Sequence, residues 1–405
     1  MHYEEYEELN MKLHHLQDVI LRSLGGSLGV GFLLLLFSCG PHRTGNEGEH
    51  GDTIPLKYAR NLTMVRYADR TEVLIRNPWD TTSTLHHYLL VESPKAPKAP
   101  KDFKALKASK APNATLVRTP LRRAGIFTAV HCGLVKELGC ESAIRGICEI
   151  EYIHIPTLRK AVSEGRVANF GSAMEPSIEG IMDAQPDALL ISPFENSGGY
   201  GRVERLGIPI IECADYMEFS PLARAEWMKF YGLLFGQYER ADSLFRAVES
   251  RYLALREQAN KVEKRPTLIS EKPYSGVWYV PGGNSSMGIM YRDAGADYLF
   301  SHRKKNGSLA LSVETVFEVA QQADIWIIKY NQPNPLTLQQ IRSDFPTFAH
   351  FRSFQSGRVY GCNLDTSLFY EETPYHPDRL LADLIRIFHP ELGIQNKKQY
   401  FYPVE

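Results

Sequence analysis

Two distant segments of the chain repeat one pattern. SIEGIMDAQPDALLI begins at Ser177 and SVETVFEVAQQADIWII begins at Ser312, and each runs from a serine through a glutamate to an aspartate and a burst of large apolar residues. Serine is a preferred helix N-cap, the amphipathic run is typical of a short helix, and the apolar burst is typical of a buried strand. The repeat therefore predicts two lobes of alternating helices and strands.

Residues 220–264 separate the two lobes. Ser220 followed by a proline is a helix start signal, and apolar residues recur at helical spacing from Trp227 to Leu255. This pattern predicts one long helix with a bend near Gly236. The predicted fold class is therefore α/β, with two Rossmann-like lobes joined by a single long backbone helix and a ligand cleft between the lobes. A continuous helix resists bending because its backbone hydrogen bonds would break, so we expect only a small closure.

The predicted domain boundaries follow from these elements. The N-terminal lobe is expected over 55–219, the connecting helix over 220–264, the C-terminal lobe over 265–393 and a C-terminal tail over 394–405. Within the first lobe, residues 93–112 are rich in Lys, Ala and Pro, which predicts a solvated loop. The chain carries 46 basic and 47 acidic residues, a net charge of -1, so we expect no nucleic-acid partner.

An apolar run, GVGFLLLLFSCG, precedes the first lobe. It is short for a membrane span and has the size of the apolar core of a signal peptide. Its LFSC residues resemble a bacterial lipobox, which implies lipidation of Cys39. We therefore expect a lipoprotein-type signal peptide over 1–38 and a flexible, Gly-rich tether over 39–54. A truncated membrane anchor, and a start of translation at Met11 rather than Met1, remain alternatives.

Four stretches, two of which contain the repeated segments, carry a resemblance to a known family. They are GSAMEPSIEGIMDAQPDALLIS, ERLGIPIIECADYMEFSPLARAEW, VPGGNSSMG with DAGADYLF, and LSVETVFEVAQQADIWII. In this order they resemble the substrate-binding proteins of ABC importers for ferric siderophores, haem and cobalamin, over residues 115–392. The resemblance implies a monomer in the bacterial cell envelope (periplasm), lipid-anchored to the membrane through Cys39, that delivers its ligand to an ABC permease. It implies no enzymatic activity and no cofactor.

In that family, a glutamate on each lobe docks onto arginines of the permease, and the matching positions here are Glu179 and Glu314. Each would lie in the first turn after its serine cap, where the helix dipole favours a negative charge. One fixed carboxylate on each lobe suits a two-fold symmetric partner. The alternative is that both are ordinary first-turn glutamates.

Candidate ligand residues lie in loops at the carboxyl ends of the predicted strands, where open α/β sheets bind their ligands. These candidates are Phe194, Tyr200, Arg202, Trp278, Tyr279, Asn284, Ser285, Tyr330 and Tyr370. Flat aromatic rings suit a macrocycle or a catecholate, and Arg202 is placed to pair with an anionic group. The turn that contains Asn284 and Ser285 would offer backbone N–H groups to an anion. For each aromatic residue the alternative is core packing.

The preferred ligand is an iron complex, either a ferric siderophore or haem. Cobalamin remains an alternative, although cobalamin-binding relatives carry tryptophans shortly before each docking glutamate and Ala173 and Ser308 stand at those places here. We expect no metal site, because His131 and His154 lack partners at metal-ligand spacing.

An envelope-anchored hydrolase is the alternative from another functional class. The chain has no G-x-S-x-G motif, but Glu195 and Glu271 follow predicted strands and would serve as a carboxylate pair across the cleft.

Overall fold

The computed structural model describes residues 50–92, 113–195 and 199–405. The predictions for the signal peptide, for Cys39 and for residues 93–112 fall outside the described residues. Within the described part of the chain, no helix is both long enough and apolar enough to cross a membrane.

The first strands form a mainly antiparallel sheet. After the two-residue strand β1 (Asp52–Thr53) come β2 (Leu62–Arg66), β3 (Thr71–Arg76), β4 (Thr84–Glu92) and β5 (Thr115–Thr119), which pair in that order. The β2–β3 and β3–β4 pairs are antiparallel, and the β4–β5 pair is parallel. We call β2–β5 the N-terminal sheet. Its faces alternate as a half-buried sheet requires: Val73 and Ile75 are buried and Leu74 between them is exposed.

A parallel sheet forms the centre of the N-terminal lobe. Its strands are β6 (Ala124–Ile126), β7 (Ile144–Cys148), β8 (Ala168–Gly171), β9 (Ala188–Ile191) and β10 (Ile210–Glu212), in the order β10-β9-β6-β7-β8. Its helices are α1 (Ala129–Glu137), α2 (Pro156–Ser163) and α3 (Ile178–Ala184). All four residues of β9 are buried, as expected for a strand covered on both faces.

The connection between the lobes differs from the single helix predicted over 220–264. It consists of three helices, α4 (Pro221–Glu226), α5 (Met228–Leu234) and α6 (Tyr238–Asn260). Ser220 is the N-cap of α4, as predicted. The main break lies at Gly236, whose φ of +66° is left-handed, and the next N–H turns back to the Gly232 carbonyl at 2.7 Å. A glycine in this conformation is a common helix stop, which explains the break.

The C-terminal lobe contains a second, mostly parallel sheet. Its strands are β11 (Thr267–Ser270), β13 (Asp297–Tyr298), β15 (Ile325–Tyr330), β16 (Val359–Asn363) and β17 (Tyr402–Pro403), in the order β13-β11-β15-β16-β17. β12 (Val277–Pro281) and β14 (Ser308–Ser312) form a separate antiparallel pair. The helices are α7 (Ser286–Asp293), α8 (Val313–Ala320), α9 (Leu338–Asp344), α10 (Arg352–Gln355), α11 (Phe369–Glu372) and α12 (Pro377–Phe388).

The predicted tail over 394–405 is part of the C-terminal sheet. β17 pairs antiparallel with β16, and Tyr400, Phe401 and Val404 are buried. The domain boundary predicted at residue 393 therefore places β17 outside the C-terminal sheet to which it belongs. The α/β class with a parallel sheet in each lobe agrees with the prediction.

Candidate functional site

Serine caps place both predicted docking glutamates at the start of a helix. Ser177 Oγ accepts the N–H three residues on at 3.0 Å, and Ser312 Oγ does the same at 3.1 Å. Glu179 and Glu314 lie in the first turns of α3 and α8, and both side chains are exposed. The predicted caps are confirmed, and the docking role of the two carboxylates stays a prediction.

The loop after β9 holds three of the predicted ligand residues. Phe194 is half-buried and Arg202 is exposed. Tyr200 is half-buried, and its hydroxyl donates to Glu212 Oε1 at 2.9 Å. Burial, together with the charge of Glu212, raises the pKa of Tyr200. Because Glu212 ends β10, this bond fixes Tyr200 at the carboxyl edge of the sheet, where ligands of such sheets bind.

Trp278 lies in the core of the C-terminal lobe, which corrects its prediction as a ligand residue. The side chain is fully buried, its ring centroid lies 5.2 Å from that of Phe348 and 6.0 Å from that of Trp326, and its Nε1 donates to the Ser270 carbonyl at 3.1 Å. Tyr279 is half-buried and points to the opposite side of β12, as strand alternation requires. Of this pair, only Tyr279 is accessible to a ligand.

Asn284 and Ser285 lie at the start of α7 and are bonded within the C-terminal lobe. Ser285 Oγ accepts the N–H three residues on at 3.1 Å and so caps α7. The Asn284 N–H donates to the Lys305 carbonyl, in the segment that follows the edge strand β13. Neighbouring Gly283 lines a surface cavity of about 380 Å³ together with Arg265 and other basic residues. The Ser285 hydroxyl and the Asn284 N–H therefore already have hydrogen-bond partners within the protein.

Tyr330 and Tyr370 lie in the C-terminal lobe, and both are half-buried. Tyr330 is the last residue of β15, and its hydroxyl accepts the Leu336 N–H at 3.1 Å. The Tyr370 ring packs edge-to-face on Phe369, with 5.3 Å between the ring centroids.

An ion pair joins the ends of two strands of the C-terminal sheet. Lys329 Nζ lies 3.2 Å from Glu271 Oε1, and both side chains are less than one fifth exposed. Glu271 is the carboxylate that would face Glu195 in a hydrolase, and here its described partner is Lys329.

A buried network surrounds His131 at the carboxyl end of β10. His131 Nε2 lies 3.1 Å from Asp215 Oδ1, and the Tyr231 hydroxyl donates to the same oxygen at 2.8 Å. Arg224 Nε donates to the other oxygen at 3.0 Å. Burial alone would raise the pKa of Asp215, but His131 and the charge of Arg224 lower it. The His131 ring is thus held in place by a buried carboxylate.

The two lobes meet where α1 packs on α11. A Cβ added to Gly133 would come within 2.0 Å of the Glu371 carbonyl oxygen, so this contact requires glycine. Glu371 Oε1 accepts the His154 N–H at 2.7 Å, and burial raises the pKa of the Glu371 carboxyl to about 7. Beside this pair, the imidazole of His376 contacts the Glu137 carboxylate.

The sequence patterns did not single out Glu212, Lys329 or Glu371. Glu212 and Lys329 lie at the ends of strands that the sequence predicts. They could therefore have been selected as candidate ligand residues on the same grounds as the residues that follow those strands. Glu371 and its partner His154 are 217 residues apart, and no local pattern connects them.

No group of three or more His, Cys, Asp and Glu residues within the described ranges is arranged to hold a metal ion. The described cysteines are free thiols: Cys132, Cys140, Cys148, Cys213 and Cys362.

Comparison with known proteins gives consistent results. The sequence model of the periplasmic binding protein family matches residues 135–366, which is more than half of the chain. A curated relative, an uncharacterized lipoprotein of Methanocaldococcus jannaschii, is 24% identical over 369 residues that cover 86% of this chain and 84% of the relative.

Solved structures share the fold. A periplasmic heme binding protein from Pseudomonas aeruginosa matches with a TM-score of 0.55 and 18% identity, covering 70% of this chain and 98% of that chain. An ABC-type Fe3+-hydroxamate transport system protein from Saccharomonospora viridis matches with a TM-score of 0.52 and 17% identity, covering 67% of this chain and 94% of that chain. At this level of identity the likeness establishes the fold alone.

Proposed function

The chain belongs to the periplasmic binding protein family, and we propose that it is the substrate-binding lipoprotein of an ABC importer. It captures an iron complex, a ferric siderophore or haem, in the cleft between its lobes and delivers it to a membrane permease. The observation that carries this proposal is the pair of exposed glutamates, Glu179 and Glu314, each in the first turn of a serine-capped helix in its own lobe.

The choice of an iron complex has two supports. Structural neighbours include a protein described as heme binding and one of a Fe3+-hydroxamate transport system. Half-buried aromatic side chains also lie at the carboxyl ends of the strands: Tyr200, whose hydroxyl donates to Glu212, and Tyr330, the last residue of β15. Aromatic surfaces with a few placed polar groups are typical of sites for flat or macrocyclic ligands.

The ligand is tested by purifying the full chain from its host and recording its absorption spectrum. Titration with haemin and with a ferric hydroxamate, followed by tryptophan fluorescence, then measures the affinity for each probe. We expect saturable binding of one of the two at one molecule per chain, with no covalent change in the ligand. Binding of neither probe, or release of a chemically altered product, would contradict the proposal.

The docking role is tested with the double variant Glu179→Ala, Glu314→Ala. Each exposed contact is worth about 1 kcal/mol, so the double variant should dock on the order of 30-fold more weakly. Uptake should fall while the dissociation constant of the ligand stays the same. Glu175→Ala with Glu318→Ala is the matched control, because both carboxylates are exposed and lie four residues from a docking glutamate. Normal uptake by the docking variant would show that this assignment is wrong.

A further inference from the structure

The N-terminal sheet precedes the residues that match the family, which begin at 135. Its attachment to the lobe is nevertheless tight. The buried carboxylate of Glu226 accepts the backbone N–H groups of residues 57–59 at 2.7–2.9 Å, and Glu218 accepts those of residues 60 and 61 at 3.0–3.2 Å. Five consecutive amides thus bind two carboxylates that lie on either side of Ser220. Hydrogen bonds to an ionised acceptor are the strong ones, so the segment entering the sheet is fixed on the lobe.

From this attached sheet, β4 reaches the end of β10. Residues at alternate positions of a strand share a face, and His86 and Tyr88 both point to the lobe. The Tyr88 hydroxyl accepts the N–H of Glu212 at 2.8 Å and donates to the Ile210 carbonyl at 3.0 Å. The His86 ring stacks on Tyr88 with 4.3 Å between centroids and an angle of 15°. The sheet therefore binds the backbone of the last residues of β10.

The side chain of Glu212 joins the sheet to the candidate ligand loop. His86 Nδ1 lies 3.1 Å from Glu212 Oε2, and the Tyr200 hydroxyl donates to Glu212 Oε1 at 2.9 Å. A carboxylate only accepts, so Nδ1 carries the hydrogen that it donates to Glu212, and Nε2 lies 2.7 Å from the Thr115 hydroxyl oxygen. Glu212 is thus bonded on one side to the sheet, through His86, and on the other side to Tyr200.

We infer that the N-terminal sheet is a positioning element of the ligand site: His86, through Glu212, fixes Tyr200 and the backbone beside it. The inference rests on the proposed function, because Tyr200 is a ligand residue only if the loop after β9 binds the substrate. The structural part of the inference is that the sheet restricts the motion of residues 199–203, and this is measured without any ligand.

The experiment compares three variants of the full chain. His86→Ala removes the bond from the sheet, His86→Asn keeps an N–H near the place of Nδ1, and His87→Ala is the matched control. His87 is the next residue of the same strand, on the opposite face, where its Nε2 lies 3.5 Å from Glu72. Amide hydrogen exchange of peptides covering residues 199–207 is followed by mass spectrometry.

We expect exchange at residues 200–203 to accelerate about tenfold in His86→Ala, the effect of losing one hydrogen bond to a charged group. His86→Asn should recover most of the protection, and His87→Ala should match the wild type. The affinity for haemin or the ferric hydroxamate should follow the same order.

A second variant tests the same bond from the other side. Tyr200→Phe leaves the sheet untouched and should accelerate exchange to the same extent as His86→Ala. The double variant should add nothing further, because both changes break one relay. Equal exchange in His86→Ala and His87→Ala, or fully additive effects, would overturn the inference. Binding of neither probe by the wild type would instead remove the proposed function, while the exchange data still decide whether the sheet positions the loop.

Discussion

Glu371→Gln isolates the pH dependence of the contact between the lobes. Glu371 lies on α11, is 4% exposed, and accepts the His154 N–H at 2.7 Å. Burial raises the pKa of Glu371 from an ordinary 4.5 to about 7; the neighbouring Glu372 carboxylate also acts to raise it, and the His154 N–H acts to lower it. Glutamine keeps the acceptor oxygen and nearly the same shape but does not titrate.

The expected magnitude follows from the two pKa values. In the unfolded chain Glu371 ionises near pH 4.5, whereas in the folded protein it keeps its proton up to about pH 7. Between these values only the unfolded state gains by ionisation, so the free energy of unfolding falls as the pH rises. One pKa unit corresponds to about 1.4 kcal/mol, so the whole interval costs ~3 kcal/mol, of which about 2–3 kcal/mol lies between pH 5 and pH 8.

The assay is urea unfolding of the wild type and Glu371→Gln at pH 5, 6, 7 and 8. Relative to the wild type, the variant should gain about 2–3 kcal/mol from pH 5 to pH 8. Glu318→Gln, a change of an exposed glutamate, is the control and should shift the free energy of unfolding by less than about 0.5 kcal/mol at every pH. Parallel pH profiles for the wild type and Glu371→Gln would refute the reasoning.

Two further predictions concern the cleft and the anchor. Trp278→Ala should cost about 3–5 kcal/mol of stability as a core truncation. Tyr279→Ala should leave stability nearly unchanged and weaken ligand binding by roughly 1–3 kcal/mol, about five- to 150-fold. Melting temperature and ligand affinity measured on both variants separate these roles. A lower melting temperature of Tyr279→Ala with unchanged affinity would show that Tyr279 is a core residue. Cys39→Ala should abolish acyl labelling and leave an unprocessed precursor; equal palmitate incorporation in variant and wild type would contradict the lipobox assignment.

Features set by neighbouring residues were accessible from the sequence. The caps at Ser177, Ser220 and Ser312 follow from a serine placed before an amphipathic run, and the structure has all three. The buried strands β9 and β15 follow from short apolar runs, because the strands of a covered parallel sheet bury both faces.

Structural features that depend on contacts between distant residues could not be predicted from the sequence. Alternation along β12 requires Trp278 and Tyr279 to face opposite sides, but the side that is buried depends on Trp326 and Phe348, which belong to other elements. The sequence predicted a bend of the connecting helix at Gly236. The extent of the interruption depends on the left-handed backbone that this glycine adopts.

The same distant contacts determine how the lobes can separate. Residues 57–61 are bonded to Glu218 and Glu226, so the start of the connection between the lobes is held firmly. Opening that separates α1 from α11 would expose the Glu371 carboxyl, which is buried and accepts the His154 N–H. Since solvent exposure would let Glu371 ionise at its ordinary pKa, a rise in pH favours opening for the same reason that it favours unfolding. A ligand that binds the closed lobes should therefore lose affinity between pH 5 and pH 8 in the wild type but not in Glu371→Gln. A loss of stability without this loss of affinity would show that the contact persists when the lobes open.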